Sequence, residues 1–343
     1  MMATKLKFAD CLIQKPGAFP AELLGKDGKP RKEIVPGVKA THILTADAAA
    51  QKDFFFVDGT WLWSGKAKEA VGVPHVHDFD HVLCFAGGHI DGPQDFKGEI
   101  TVWLDGRKEV IKRNSIIFVP AGVVHGPILF NDIPAPIYFL TVAITGKYTR
   151  KVVPQVEKPA KKKKYAIVDA LYKDFSVAAN KDPNAPPPPP PNPNLKGARI
   201  MHIEEDAVPG AFYVDFVWIF QGDGAAPAKQ HDHDWPELIA FAGSDSAHPY
   251  DIGGEMSVML EDEYHATKKS TLVCIPAHTQ HCPWEFHAIK KPTLVFTAGP
   301  SHSYTGSHKK EDGTKVPLPS PKKAAAKAPA KKAAAKAPAK KKK

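Results

Sequence analysis

Apolar positions along this chain come in short runs rather than in helical stripes. Runs such as ITVWL (100–104), SIIFVP (115–120) and IYFLTVAI (137–144), and later MSVML (256–260), STLVCIP (270–276) and TLVFTAG (293–299), are rich in Val, Ile, Phe and Thr. Gly, Pro or Asp separates them, and Asp105-Gly106 is a hairpin signal. Such runs suit strands, while the three-to-four-residue spacing of an amphipathic helix is weak throughout. Many short strands at regular spacing predict a sandwich or barrel, and so an all-β body.

The pattern occurs twice. A shift of 156 positions lays HVHDFDHVLCFAG (75–87) on HDHDWPELIAFAG (231–243), and the register then holds without a gap from PAGVVHGP (120–127) to PAHTQHCP (276–283). Between them GEITVWL (98–104) falls on GEMSVML (254–260), Pro93 and Asp95 on Pro249 and Asp251, and Phe130 on Phe286. Upstream, with one residue of slippage, VDGTWLWSG (57–65) matches VDFVWIFQG (214–222). A repeat of this length is too long for a solenoid unit, so each copy is expected to be a domain with its own core.

The material around the copies is different. The expected organisation is an N-terminal arm (1–50), a first domain (51–150), a Lys/Pro-rich linker (151–197), a second domain (198–307) and a basic tail (308–343). The linker holds Lys161 to Lys164, a predicted short helix around AIVDALYKDF (166–175), and Pro186 to Pro191, which must be extended polyproline II. In the tail KKAAAKAPA occurs twice over 322–339. Pro329 and Pro338 interrupt what Ala and Lys would make helical, and nothing there can be buried, so disorder is expected.

Composition changes the picture in one respect. Apolar residues make up 43% and charged residues 24% of 343, ordinary globular usage, and no apolar run approaches the ~18 residues a membrane span needs. The net charge is +9, but residues 322–343 carry ten lysines and no acid, which leaves the rest at −1. A neutral body excludes a basic-faced nucleic-acid-binding domain, so only the tail argues for a weak polyanion or nucleic-acid contact. Its other reading is a solubilising tail with no specific partner. Four cysteines without CxxC spacing read as reduced thiols, and the start lacks the apolar stretch of a secretory signal, so the expected compartment is the cytoplasm.

The histidines are arranged for a metal. His231, His233 and Glu237 form H-x-H-x-x-x-E, and His281 follows 48 residues after His233. If the first three lie on or beside one strand, period-2 alternation turns them to one face, and an opposing strand supplies the fourth donor. In the first copy His75, His77 and His81 form H-x-H-x-x-x-H, with His125 again 48 residues beyond His77, so imidazole replaces carboxylate.

On these residues the sequence resembles the cupin superfamily, and two-domain bicupins in particular. The family's first motif, H-x-H followed by Glu and then Gly, is similar to HDHDWPELIAFAG and, with His for Glu, to HVHDFDHVLCFAG. The second, P-x-G-x-x-H, is similar to Pro120 through His125 and, with His278 in place of Gly, to Pro276 through His281. The resemblance covers roughly 51–145 and 205–300. It implies two tandem double-stranded β-helix (jelly-roll) barrels, each holding one divalent metal through the motif residues. It also implies that barrels pair face to face, so the chain is a pseudo-dimeric monomer or a homo-oligomer. Imidazole suits Zn, Cu, Fe and Ni, and a carboxylate tilts a site toward Mn or Fe, so iron or manganese is favoured in the second copy. His278 must either change its turn or sit at positive φ.

Other residues read more plainly. His89, His202, His265, His278 and His287 have no partner pattern and read as surface or structural. Cys282, beside His281, is expected to point away from the metal by strand alternation. Glu99 and Glu255 occupy equivalent positions and read as solvent-facing, and the shared Trp61 and Trp218 read as core packing. There is no G-x-S-x-G, Walker or Rossmann motif, and no catalytic acid, base or nucleophile stands out. The leading expectation is a metal-dependent enzyme, dioxygenase- or decarboxylase-like, acting on a small oxygen-rich or aromatic metabolite. Its rival is a non-catalytic bicupin for sensing, storage or scaffolding, with the tail docked to a polyanion.

Overall fold

A computed structural model describes residues 6–17, 33–169, 193–226, 228–309 and 315–317. The proline run and the 322–343 tail lie outside these residues. Among the described residues every named ladder is antiparallel, and one 3-10 turn, Ala9–Cys11, is the helical content. Among the described residues no helix is long and apolar enough to cross a membrane.

The first barrel closes two sheets over one core. One sheet runs, in spatial order, through Ala166–Val168, Ser115–Val119, His81–Ala86, Ile137–Ala143, Phe56–Gly65 and Val38–Ala46. The other runs through Lys151–Val152, His75–Val76, His125–Asp132, Glu99–Leu104 and Arg107–Ile111. In the second copy the long strand Tyr213–Ala225 (13 residues) pairs with Thr293–Gly299 over its first half and with His281–Ile289 over its second. That continuity merges the equivalent strands into one curled nine-stranded sheet.

Strand pleat explains why the central runs are apolar throughout rather than alternating. Along Glu237–Gly243, Ile239 and Phe241 fill the barrel, while Leu238, Ala240 and Ala242 join a core shared with the other barrel. Along His81–Ala86, Leu83 and Phe85 point inward and Val82, Cys84 and Ala86 outward to the same shared core. The two barrels thus pack sheet against sheet, a pseudo-dimer within one chain. Trp61 and Trp218 meet at this seam with ring centroids 6.3 Å apart, and Trp218 Nε1 donates to the Gly87 carbonyl at 3.1 Å. Both tryptophans are core packing.

Several segments differ from the sequence expectation. The stretch 166–168, placed in a helix, is a strand on Ser115–Val119, because its apolar side chains complete the edge of the first sheet; the remainder of that predicted helix lies outside the described residues. The region expected as an arm contributes Val38–Ala46 to the first barrel and Leu12–Ile13 to the edge of the second. The Lys7 and Phe8 amides donate to the Glu263 carboxylate at 2.7 and 2.9 Å, holding that segment on the second barrel. Glu99 and Glu255 face solvent, each beside a lysine (Lys112 at 2.8 Å, Lys268 at 3.7 Å).

Candidate metal centres

In the second barrel His231, His233, Glu237 and His281 are all buried, and one donor atom from each lies within 4.8 Å of the others. They do not share one strand. His231 and His281 face each other across an antiparallel bridge, a turn at 234–235 follows His233, and Glu237 opens the next strand. The turn, rather than simple alternation, brings the three motif residues to one point. Glu237 Oε2 sits 2.7 Å from His281 Nε2 and 3.2 Å from His233 Nε2.

The first barrel repeats the frame. His75 bridges His125 across the ladder, and the donors of His75, His77 and His125 lie within 4.8 Å of one another. His81, expected to be equivalent to Glu237, opens the matching strand with its ring 4.5 Å from His125 and 4.8 Å from His77, outside that three-donor group.

Each of six ligand-position imidazoles has its Nδ1–H tied to a backbone carbonyl, which fixes the tautomer and turns Nε2 to the centre. His75, His125, His231 and His281 donate to the carbonyl two residues earlier, at 2.6, 3.0, 2.6 and 2.9 Å. His77 donates to Thr149 O at 2.5 Å and His233 to Thr305 O. The second motif locks onto this frame: the amides of Gly122 and His278 donate to the His77 and His233 carbonyls at 2.8 and 2.7 Å. Gly122 has φ 76° and His278 keeps the same conformation at φ 63°, so histidine accepts the left-handed backbone that the turn demands.

The donor sets fit a cation. His125 Nε2 and both ring nitrogens of His81 are buried without a hydrogen-bond partner, an arrangement costly for polar groups unless something else satisfies them. Metal–ligand bonds of about 2.1 Å place neighbouring octahedral donors about 3.0 Å apart. The 2.7 and 3.2 Å separations around Glu237 fall at that spacing.

Electrostatics separates the two centres. Burial and the neighbouring imidazoles hold His81 and His125 far below the ordinary 6.5, so these two imidazoles are neutral. In the second, burial opposes charge on Glu237, but His233 and His281 outweigh it and keep the carboxyl well below its usual range. Burial likewise opposes charge on His281, yet Glu237 raises its pKa, while burial and His281 pull His231 down to about 4.

A cavity of about 100 Å³ opens beside Glu237 in the second barrel, with Tyr213, Asp215, Cys282, Thr297 and Tyr304 among its lining. Cys282 therefore faces the cavity and does not point away. Its φ of 74° breaks the alternation that extended backbone would impose. Arg199 pairs with the lining residue Asp215 through Nε and Nη2, at 2.5 Å each. Burial would raise the Asp215 pKa, but Arg199 and His202 hold it below the usual carboxylate range. His202 and His265 are buried structural residues beside acidic groups, Glu204 and Glu263 at 3.6 and 3.3 Å.

Sequence reasoning missed one pair. Tyr148 and Tyr304 stand at the 156-residue spacing, each followed by the threonine whose carbonyl orients a ligand histidine. The Tyr148 hydroxyl lies 2.9 Å from His77 Nε2 and the Tyr304 hydroxyl 2.8 Å from His231 Nε2. The repeat register already carried the signal, since KYT (147–149) falls on SYT (303–305).

Two barrels packed sheet against sheet, with histidine-rich donor sets at the matching place in each, are the arrangement that the resemblance to two-domain cupins implies. No protein-family model and no curated protein matches the chain in sequence. Among solved structures, it is similar to an oxalate decarboxylase of Bacillus subtilis studied for its Mn(II) centres (12% identity, TM-score 0.47, 84% of this chain and 80% of that one). It is also similar to an oxalate decarboxylase–formate complex of Lactobacillus farciminis (13%, 0.47, 84% and 89%) and to hazelnut (Corylus avellana) vicilin (11%, 0.46, 85% and 86%).

Proposed function

We propose that this chain is a metal-dependent enzyme whose working centre is the second barrel, with His231, His233, Glu237 and His281 holding a divalent ion, iron or manganese. The observation that carries this reading is a buried three-histidine, one-carboxylate set whose Glu237 also lines a small cavity. An ion held by four protein donors keeps open positions that take a small acid, diketone or enediol and polarise it toward decarboxylation or oxygenation.

The chain's own residues set what can enter. An apolar cavity that accepts benzene measures roughly 150 Å³. At about 100 Å³ the space here favours a small oxygen-rich molecule over an aromatic one. Tyr213 and Thr297, whose hydroxyls are 2.6 Å apart, offer hydrogen bonds to its oxygens, while Val217, Ile239 and Trp284 supply apolar lining. Asp215 stays ionised against Arg199, so it serves as a fixed charge beneath the substrate rather than as a proton donor.

The test is elemental analysis of untagged protein purified without added metal, alongside His233→Ala. About two equivalents of a divalent metal in the wild type, and loss of one in the variant together with turnover of small dicarboxylic or enediol substrates, are expected. A chain that stays free of metal even after reconstitution would leave a barrel scaffold and overturn the enzyme reading.

A further inference from the structure

Each centre carries a phenol that the cupin motifs do not account for. Tyr148 and Tyr304 stand at equivalent positions, and both hydroxyls reach the Nε2 of a ligand-position histidine, at 2.9 and 2.8 Å. Because His77 and His231 use Nδ1–H on a carbonyl, Nε2 presents a lone pair, and the phenol O–H donates to it. That lone pair is the one a metal would take. A cation seated there deprives each phenol of its acceptor while leaving the oxygen at the edge of the donor ring.

The surroundings hold the oxygens in place rather than letting them swing away. Tyr148 lies between Phe56 and Phe79, with ring centroids 4.5 and 5.6 Å away. Tyr304 lies between Tyr213 and Trp235, at 4.8 and 6.1 Å, and these are the equivalents of Phe56 and Phe79 in the repeat. The residue after each tyrosine is anchored by its carbonyl to His77 or His233, and the Tyr304 amide is held by Glu204 Oε2 at 3.0 Å. Oxygen-to-nitrogen separations of 2.8 and 2.9 Å match the roughly 3.0 Å expected of neighbouring donors on an octahedral ion.

We propose that Tyr148 and Tyr304 are metal ligands, each adding a phenolate oxygen to its centre. On binding, the oxygen–metal bond forms, the phenol O–H bond breaks and the proton leaves to solvent; no oxidant or reductant is required. The proposal rests on the metal-binding reading above. It gives each barrel an oxygen donor beyond the motif residues, and it supplies the first barrel's imidazole set with its one anionic ligand.

The test loads full-length apo-protein with Cu(II) and records the visible phenolate-to-copper charge-transfer band beside bound copper. Wild type, Tyr148→Phe, Tyr304→Phe and the double variant are compared. The expected result is a band in the wild type, roughly halved in each single variant and gone in the double variant, which still binds about two coppers. Two bound coppers without the band in the wild type, or a band that survives in the double variant, would overturn the ligand role and leave the metal-site reading standing. Failure to bind copper at all would overturn both.

Discussion

The two barrels are one design executed with different charges. Both centres hang from the same scaffold: a cross-strand histidine pair, a turn that returns the chain, an amide-to-carbonyl lock from the second motif, and a tyrosine-threonine pair hydrogen-bonded to the histidines. At one ligand position the first has His81 and the second Glu237. That substitution decides whether the position offers an imidazole or a carboxylate, donor types that suit different ions. The scaffold tolerated the change because both side chains start the same buried strand facing inward. What fixes the ligand geometry is therefore the backbone frame, and what tunes the chemistry is one residue upon it.

The largest expected difference between the barrels is acid lability without metal. Burial holds His81 and His125 neutral in the fold, and their pKa values lie below the ordinary 6.5, so the unfolded chain binds more protons and stability falls as pH drops below 6.5. In the second barrel His231 behaves the same way down to about 4. His281 has a raised pKa, and its contribution is present below 6.5 and lost only as pH rises through the folded value. Glu237, held low, contributes above its unfolded value of 4.5. From pH 7 to 5 the first barrel should therefore lose more protection than the second. Hydrogen exchange on strand His81–Ala86 against strand Glu237–Gly243 in apo-protein measures this, and equal losses would break the contrast.

A reciprocal exchange sharpens it. Glu237→His should weaken Mn(II) binding in the second barrel by about tenfold to a hundredfold, the range over which one altered partner moves metal affinity. His81→Glu should strengthen Mn(II) binding in the first. Titration calorimetry on each variant reads the change, and affinities that ignore the exchange would show that residue 81 or 237 is not a ligand.

The smallest effect concerns the turn. His278 holds φ 63° where the other copy has Gly122 at φ 76°. His278→Gly should stabilise the chain by up to about 1 kcal/mol, and Gly122→His should destabilise it by a similar amount, since only Gly visits this region without cost. A Cβ at Gly122 meets nothing within 4 Å, so the penalty there is conformational and not steric. Urea unfolding midpoints moving the same way in both variants would contradict this account.

Much of this molecule was legible in the sequence. The runs around ITVWL and TLVFTAG, the 156-residue register and the H-x-H signatures led to two barrels and to the eight ligand candidates, because strand pleat and motif spacing are local properties. Other features could not be read that way. Whether AIV at 166–168 joins a helix or an edge strand depended on a neighbour more than forty residues earlier, and the same three residues suit either. Cys282 turned toward the cavity because a left-handed residue breaks the alternation on which the sequence argument relied.

The sequence by itself determined that the chain is duplicated, that it is built of strands, and which histidines recur, since these follow from pattern and spacing alone. Only the tertiary structure decided that the outward faces of Val82, Cys84, Leu238 and Ala240 meet in one core between the barrels. It alone placed His81 at the edge of its three-histidine group, and it alone brought Tyr148 and Tyr304 to the centres from the segments that follow strands Ile137–Ala143 and Thr293–Gly299. Donor geometry at a point is set by segments far apart in the chain, and side-chain spacing along any one of them does not contain it.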